Sequence, residues 1–215
     1  MTCRRCGATS TLTTPTWNTS RHRDASVLVL GIDPGTANTG YGVVRGGGGL
    51  TPTLVECGVI RTRARDPLPA RLREIYEGVL ELIDRHTPDA LAVEGVFYSR
   101  NVRTTVVLGH ARGVILLAAE QRGVIVNEFA PAEIKKSVVG TGGATKEQVQ
   151  FMLTRLLRLK STPQPADAAD GVAAALACIM SAGIPRLDGG GRVREPSRTK
   201  ATASPRRSTP ISRRP

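Results

Sequence analysis

Four carboxylates stand where the surrounding sequence gives them little ordinary use. Asp33 ends the apolar run VLVLGI (27–32), and Pro34-Gly35 turn the chain immediately after it. Glu94 interrupts LAVEGV (91–96), an otherwise apolar segment with no basic residue beside the acid. Asp167 and Asp170 open ADAADGVAAALACIM (166–180), and their i,i+3 spacing puts them on one helix face. A carboxylate inside an apolar strand is costly to bury unless it is paired or bound to a cation. If the strands ending on Asp33 and Glu94 are neighbours, and the last helix closes over them, the acids converge. Such a group repels itself and invites a hard divalent cation, and Mg²⁺ takes oxygen ligands. Two such ions about 3.5 to 4 Å apart clamp the attacking and leaving oxygens of phosphodiester hydrolysis.

Simpler accounts exist for single residues. Asp167 before an Ala-rich helix serves as an N-terminal cap. Asp33 before Pro-Gly serves as a turn former. The same hairpin suits the phosphate grip of actin-like and sugar-kinase ATPases. Those need two such domains and a second phosphate loop, and no later Gly-rich strand turn with an acid occurs here. Glu94 is the hardest of the four to explain without a partner.

The elements that must position these acids follow from periodicity. VLVLGI (27–32), GYGVV (40–44) and TLVECGVIRT (53–62) predict three successive strands, with GGGG (46–49) as a turn. Leu72, Ile75, Tyr76, Val79, Leu82 and Ile83 recur at helical spacing over 68–86. DALAVEGV (89–96) predicts a buried strand, 101–121 a helix stopped by Gly123, and VIVNEF (124–129) a fifth strand. Pro131 opens a short helix, VVGTGGATK (138–146) is a Gly-rich loop, and Thr145 caps a helix to about Leu159. The order β-β-β-α-β-α-β-α-α-α predicts an α/β fold. A meander is extended by right-handed crossovers into a mixed five-stranded sheet with helices on both faces.

The chain has 215 residues and a net charge of +12. The charge is uneven: +3 over 1–26, +2 over 27–184 and +7 over 185–215. We expect a disordered N-terminal extension over 1–26, one ordered α/β domain over 27–184 and a disordered basic Pro/Ser/Arg-rich tail over 185–215. The tails offer salt-sensitive attraction to phosphates, or simply solubility. Aromatics are only 3% of the chain, so small aliphatics must fill the core. No run reaches the roughly 18 to 20 apolar residues of a membrane span. The N-terminus lacks a signal peptide's apolar middle, so a cytoplasmic protein is expected. Cys57 and Cys178 lie in apolar surroundings as core thiols. Cys3 and Cys6 form a lone CxxC, short of the four ligands of a structural zinc site.

LGIDPGTANTGYGVV, LAVEGVF, HARGV, APAEIKKSVVGTGGATKEQVQ and ADAADGVAAAL, in this order, resemble the RuvC Holliday-junction resolvases. The resemblance covers about 27–182 and implies an RNase H-like fold. It also implies a homodimer that cuts four-way junction DNA by paired symmetric nicks, serving recombination and repair beside the RuvA-RuvB branch-migration complex. It places the acidic ligands of two Mg²⁺ ions per subunit, replaceable by Mn²⁺, on Asp33, Glu94, Asp167 and Asp170. It places DNA contacts on Phe97, Lys135 and Lys146. Some members carry His at the position of Asp167. Gly95 stands where the family often has Gln, which bears on DNA contacts and not on metal.

A YqgF-type RNA-processing nuclease shares the opening motif, but ADAADG and FYSRN favour the resolvase. A DNA-binding protein without chemistry would not need all four acids. Phe97-Tyr98, in the loop expected beside the site, can stack on an unpaired base; a core aromatic capping the sheet is the plainer account. Lys135, Lys136 and Lys146 can grip phosphates or be ordinary surface lysines. The helix over 101–121 is more apolar than one buried face requires, through Val106, Val107, Leu108, Val114, Ile115, Leu116 and Leu117. It is the expected dimer interface.

Overall fold

A computed structural model describes residues 26–95 and 102–181. The expectations for Phe97, Tyr98, Cys3, Cys6 and most of both tails lie outside the described residues. The strands are β1 (Val27–Asp33), β2 (Asn38–Gly47), β3 (Leu50–Arg61), β4 (Ala90–Glu94) and β5 (Ile125–Phe129). The helices are α1 (Leu68–His86), α2 (Val102–Gln121), α3 (Pro131–Val139), α4 (Lys146–Leu156) and α5 (Ala166–Met180). One sheet forms in the order β3-β2-β1-β4-β5. Pairs β3–β2 and β2–β1 are antiparallel, and pairs β1–β4 and β4–β5 are parallel. The expected meander and crossovers are both present.

Gly47 pairs with Leu50, so Gly48-Gly49 close the β2–β3 hairpin. Their φ values of 59° and 76° belong to the left-handed region, where a side chain is strained. Alternation divides the strands between two cores. Leu28, Leu30 and Ile32 face α1 and α2, together with Val43, Leu91 and Val93. Val27 and Val29 face α3, α4 and α5, together with Val44 and Ala92. No aromatic stands among the buried core residues of the described segments.

By length and hydropathy α2 is a candidate membrane span, which the sequence reading did not anticipate. It packs on α1, buries Ala111, Ile115, Ala118 and Ala119, and pairs Arg112 with Glu128 of β5. It is a layer of this domain.

Helix α5 packs very closely on β1, which carries Asp33, and on β2. A Cβ on Gly31 would stand 2.2 Å from the Gly171 carbonyl oxygen, and one on Gly40 1.8 Å from that of Asp167. A Cβ on Gly42 would stand 2.6 Å from the Val172 Cα, and one on Gly171 2.6 Å from the Tyr41 Cα. Helix backbone therefore rests directly on strand backbone. Glycine inside a strand signals such close approach, and Gly31, Gly40 and Gly42 carry that signal in the sequence.

Candidate metal centre

The sheet sets two of the acids side by side. Parallel pairing of β1 with β4 runs to Ile32 opposite Val93. Asp33 and Glu94 are the next residues, at the carboxyl ends of adjacent strands about 4.8 Å apart. Across the other edge of β1, Asp33 pairs with Gly40. Because Gly40 has no side chain, the Asp167 backbone settles on it, and α5 delivers its acids to the same point. One carboxylate oxygen each from Asp33, Asp167 and Asp170 lies within 4.8 Å of the other two. Glu94 does not join that group but lines the same cleft of about 200 Å³, with Asp33, Asp170, Lys135 and Lys146.

The structure corrects one sequence assignment. Pro165, not Asp167, is the N-cap of α5, and Asp170 lies past the first turn. The capping account of Asp167 therefore fails; its carboxylate belongs to the acidic group. Thr145 does cap α4, accepting from the Gln148 N–H at 3.3 Å while the Gln148 Oε1 accepts from the Thr145 N–H at 2.8 Å.

Charge within the cleft is poorly balanced. Lys146 donates from Nζ to the Asp170 Oδ2 at 2.7 Å, and this bond raises the lysine's pKa. Lys146, expected to meet a phosphate, here holds an acid, and a DNA phosphate would have to draw it away. Burial, then the charges of Glu94, Asp170 and Asp167, push Asp33 up to about 7. Burial and the Asp170 charge raise Glu94, opposed by Lys135 and Lys146. An all-oxygen set of half-buried, mutually repelling carboxylates fits a hard divalent cation.

This repulsion has a pH signature. A carboxyl whose pKa is raised by folding holds its proton in the folded state after the unfolded chain has lost it. Stability then falls as pH rises from about 4 to about 7. With solvent screening part of the effect, we expect on the order of 2 kcal/mol. In metal-free buffer at pH 8, Asp33→Asn should melt roughly 5 °C above the parent, with no gap near pH 3. Calorimetry across pH tests this, and equal melting temperatures at pH 8 would show that Asp33 is not strained.

A family model described as "Crossover junction endodeoxyribonuclease RuvC" matches residues 29–178. The chain belongs to the RuvC family. It is 51% identical over 148 residues to the crossover junction endodeoxyribonuclease RuvC of Parafrankia sp. (strain EAN1pec), covering 69% of this chain and 83% of that protein. It is 49% identical over 151 residues to that of Moorella thermoacetica, covering 70% and 89%. Among solved structures it is similar to T. thermophilus RuvC in complex with a Holliday junction substrate. That likeness has a TM-score of 0.69 and 37% identity, and covers 73% of this chain and 94% of the other. The yeast mitochondrial Holliday junction resolvase Ydc2 shares the fold at TM-score 0.54 and 14% identity. The RuvC match decides between the two RNase H-like readings of the sequence.

Proposed function

We propose that this chain is an endodeoxyribonuclease that resolves Holliday junctions by paired symmetric nicks, in recombination and repair. The convergence of Asp33, Asp167 and Asp170 within 4.8 Å, in a RuvC-family chain, carries the reading. Asp33, Glu94, Asp167 and Asp170 would hold two Mg²⁺ ions per subunit, with Mn²⁺ able to replace them. Bound there, the ions supply charge neutralisation at the phosphate and activation of water for attack. The protein's part is positioning. Hydrogen-bonded strands hold Asp33 and Glu94, and α5 pressed against glycine holds Asp167 and Asp170. Lys135 and Lys146, on the rim of the cleft, meet the phosphates, and Phe97 stacks on a base displaced at the junction.

A junction has two strands to cut at related points, so a two-fold pair of chains is required. Helix α2 supports that role. Val102, Val106 and Leu117 are 74%, 53% and 52% exposed, and Gly109 and Gly113 leave open space on its surface. The working unit would be a cytoplasmic homodimer acting with the RuvA-RuvB complex. Its nuclease domain would span 27–184, flanked by the extension over 1–26 and the basic tail over 185–215.

The test compares a synthetic four-way junction with linear duplex and structured RNA. Mg²⁺ or Mn²⁺ should support symmetric cutting of the junction alone. Ca²⁺, with longer and looser coordination, should support binding with little cutting. Full cleavage in EDTA would end the metal reading, and equal cutting of duplex or RNA would end the junction reading.

A further inference from the structure

A second set of basic groups at this end of the sheet lies on the side away from Lys135. β3 runs parallel to β1, so its carboxyl end lies at the Asp33 edge, with Arg61 opposite Asn38. The chain from there to α1 reads RTRARDPLPAR (61–71), four arginines against one acid, Asp66. Arg71 holds a particular place in it. Its Nε–H is shared between the Thr36 carbonyl and the Thr62 Oγ1, each at 3.1 Å. The Thr62 hydroxyl donates to the same carbonyl, and the Thr62 N–H donates to the Ala37 carbonyl at 3.0 Å. Arg71 is thereby fastened to the turn that follows Asp33. Thr36 lies three residues on, within about 11 Å along the chain.

Only Nε is used. Arg73, Arg85, Arg112 and Arg122 all pair with carboxylates, whereas Arg61, Arg63 and Arg71 have no carboxylate within ion-pair distance among the described residues. Arg71 is half-buried, and Arg61 and Arg63 are exposed. Arg71 also sits near the amino end of α1, whose first turn has no acid. The helix dipole disfavours a cation there, and an anion between dipole and guanidinium would reverse the sign. A guanidinium held through Nε still presents its terminal nitrogens to an anion, in the fork that suits phosphate.

We propose that Arg71, with Arg61 and Arg63, binds backbone phosphates of the DNA on the β3 side of the metal centre. This rests on the junction-nuclease reading above. Two strand spacings separate β3 from β1, about 10 Å, or roughly three phosphates at 3.4 Å of axis per strand. The scissile phosphate then lies between two basic flanks, Lys135 and Lys146 by β5 and the arginines by β3. Arg71 also ties that flank to the turn after Asp33, so one side chain sets the turn and the phosphate in register.

The test is the salt dependence of DNA binding in Ca²⁺, for the full chain and its variants. Each lost phosphate contact lowers the slope of log K against log salt by about 0.9. R71Q should lower it by about one and R61S/R63S by up to about two, on junction and linear duplex alike and whatever the sequence. R71K should restore the slope. R73Q, which removes an arginine paired with Glu77, should leave it unchanged. Unchanged slopes in folded R71Q and in R61S/R63S overturn the proposal, and the exposed pair decides alone if R71Q does not fold. A parent chain that neither binds nor cuts junctions would sink the broader reading instead. A parent that cuts normally, beside arginine variants with its slope, sinks only this one.

Discussion

Asp33→Asn, Glu94→Gln and Asp170→Asn are each expected to lower junction cleavage by about a thousandfold or more while leaving junction binding intact. A metal clamp on a transferring phosphate is worth several kcal/mol, and about 4 kcal/mol is three decades in rate. Binding survives because it draws on a different set of groups, the lysines and arginines around the cleft. Removing one negative charge from a self-repelling cluster also eases the approach of phosphates. In Asp170→Asn the loss of charge has a second consequence, since Lys146 loses its 2.7 Å partner and is freed toward DNA. That variant should bind at least as tightly as the parent. Asp167→Asn joins this group, because Pro165 holds the cap position that would have made the change mild. Single-turnover cleavage and binding in Ca²⁺ make the measurement. A variant cutting at near the parental rate would remove its residue from the metal centre.

Gly171→Ala is expected to destabilise the domain by about 2 kcal/mol and to cost roughly 100-fold in cleavage. Helix propensity alone points the other way, since alanine is favoured over glycine by about 1 kcal/mol. Packing decides. The new Cβ would stand 2.6, 2.7 and 2.8 Å from the Tyr41 Cα, C and N. These are main-chain atoms of a strand paired on both sides, and they cannot swing aside as a side chain can. Overpacking of this kind costs about 1 to 3 kcal/mol, and against backbone the upper end applies. The relief open to the structure is to lift α5 from β1 and β2 by about 1 Å, and α5 carries Asp167 and Asp170. A misplacement of that size costs about 100-fold in rate. Thermal melts together with cleavage rates give the test. A variant more stable than the parent would show that α5 does not rest on the sheet as described.

Sequence alone determined most of the fold and singled out the acids that the structure brings to one cleft. The continuous apolar run VLVLGI signals a strand covered on both faces, the stripe through Ile75, Val79, Leu82 and Ile83 is a local period of 3.6 residues, and the structure buries both sets. Glu94 was legible because a carboxylate within an apolar strand contradicts its own surroundings. What tertiary structure decided are through-space relations between segments far apart in the chain. Asp33, Asp167 and Asp170 gather while Glu94 stands outside the 4.8 Å group, because α5 lies mainly across β2 and β1 and meets β4 only at its margin. Lys146 meets Asp170 across 24 residues, and Arg71 reaches Thr36 across 35. No periodicity encodes either pairing. The glycines show the boundary most clearly. Each of 31, 40, 42 and 171 is visible in the sequence as a missing side chain, but only the folded chain shows the backbone that occupies the vacated space.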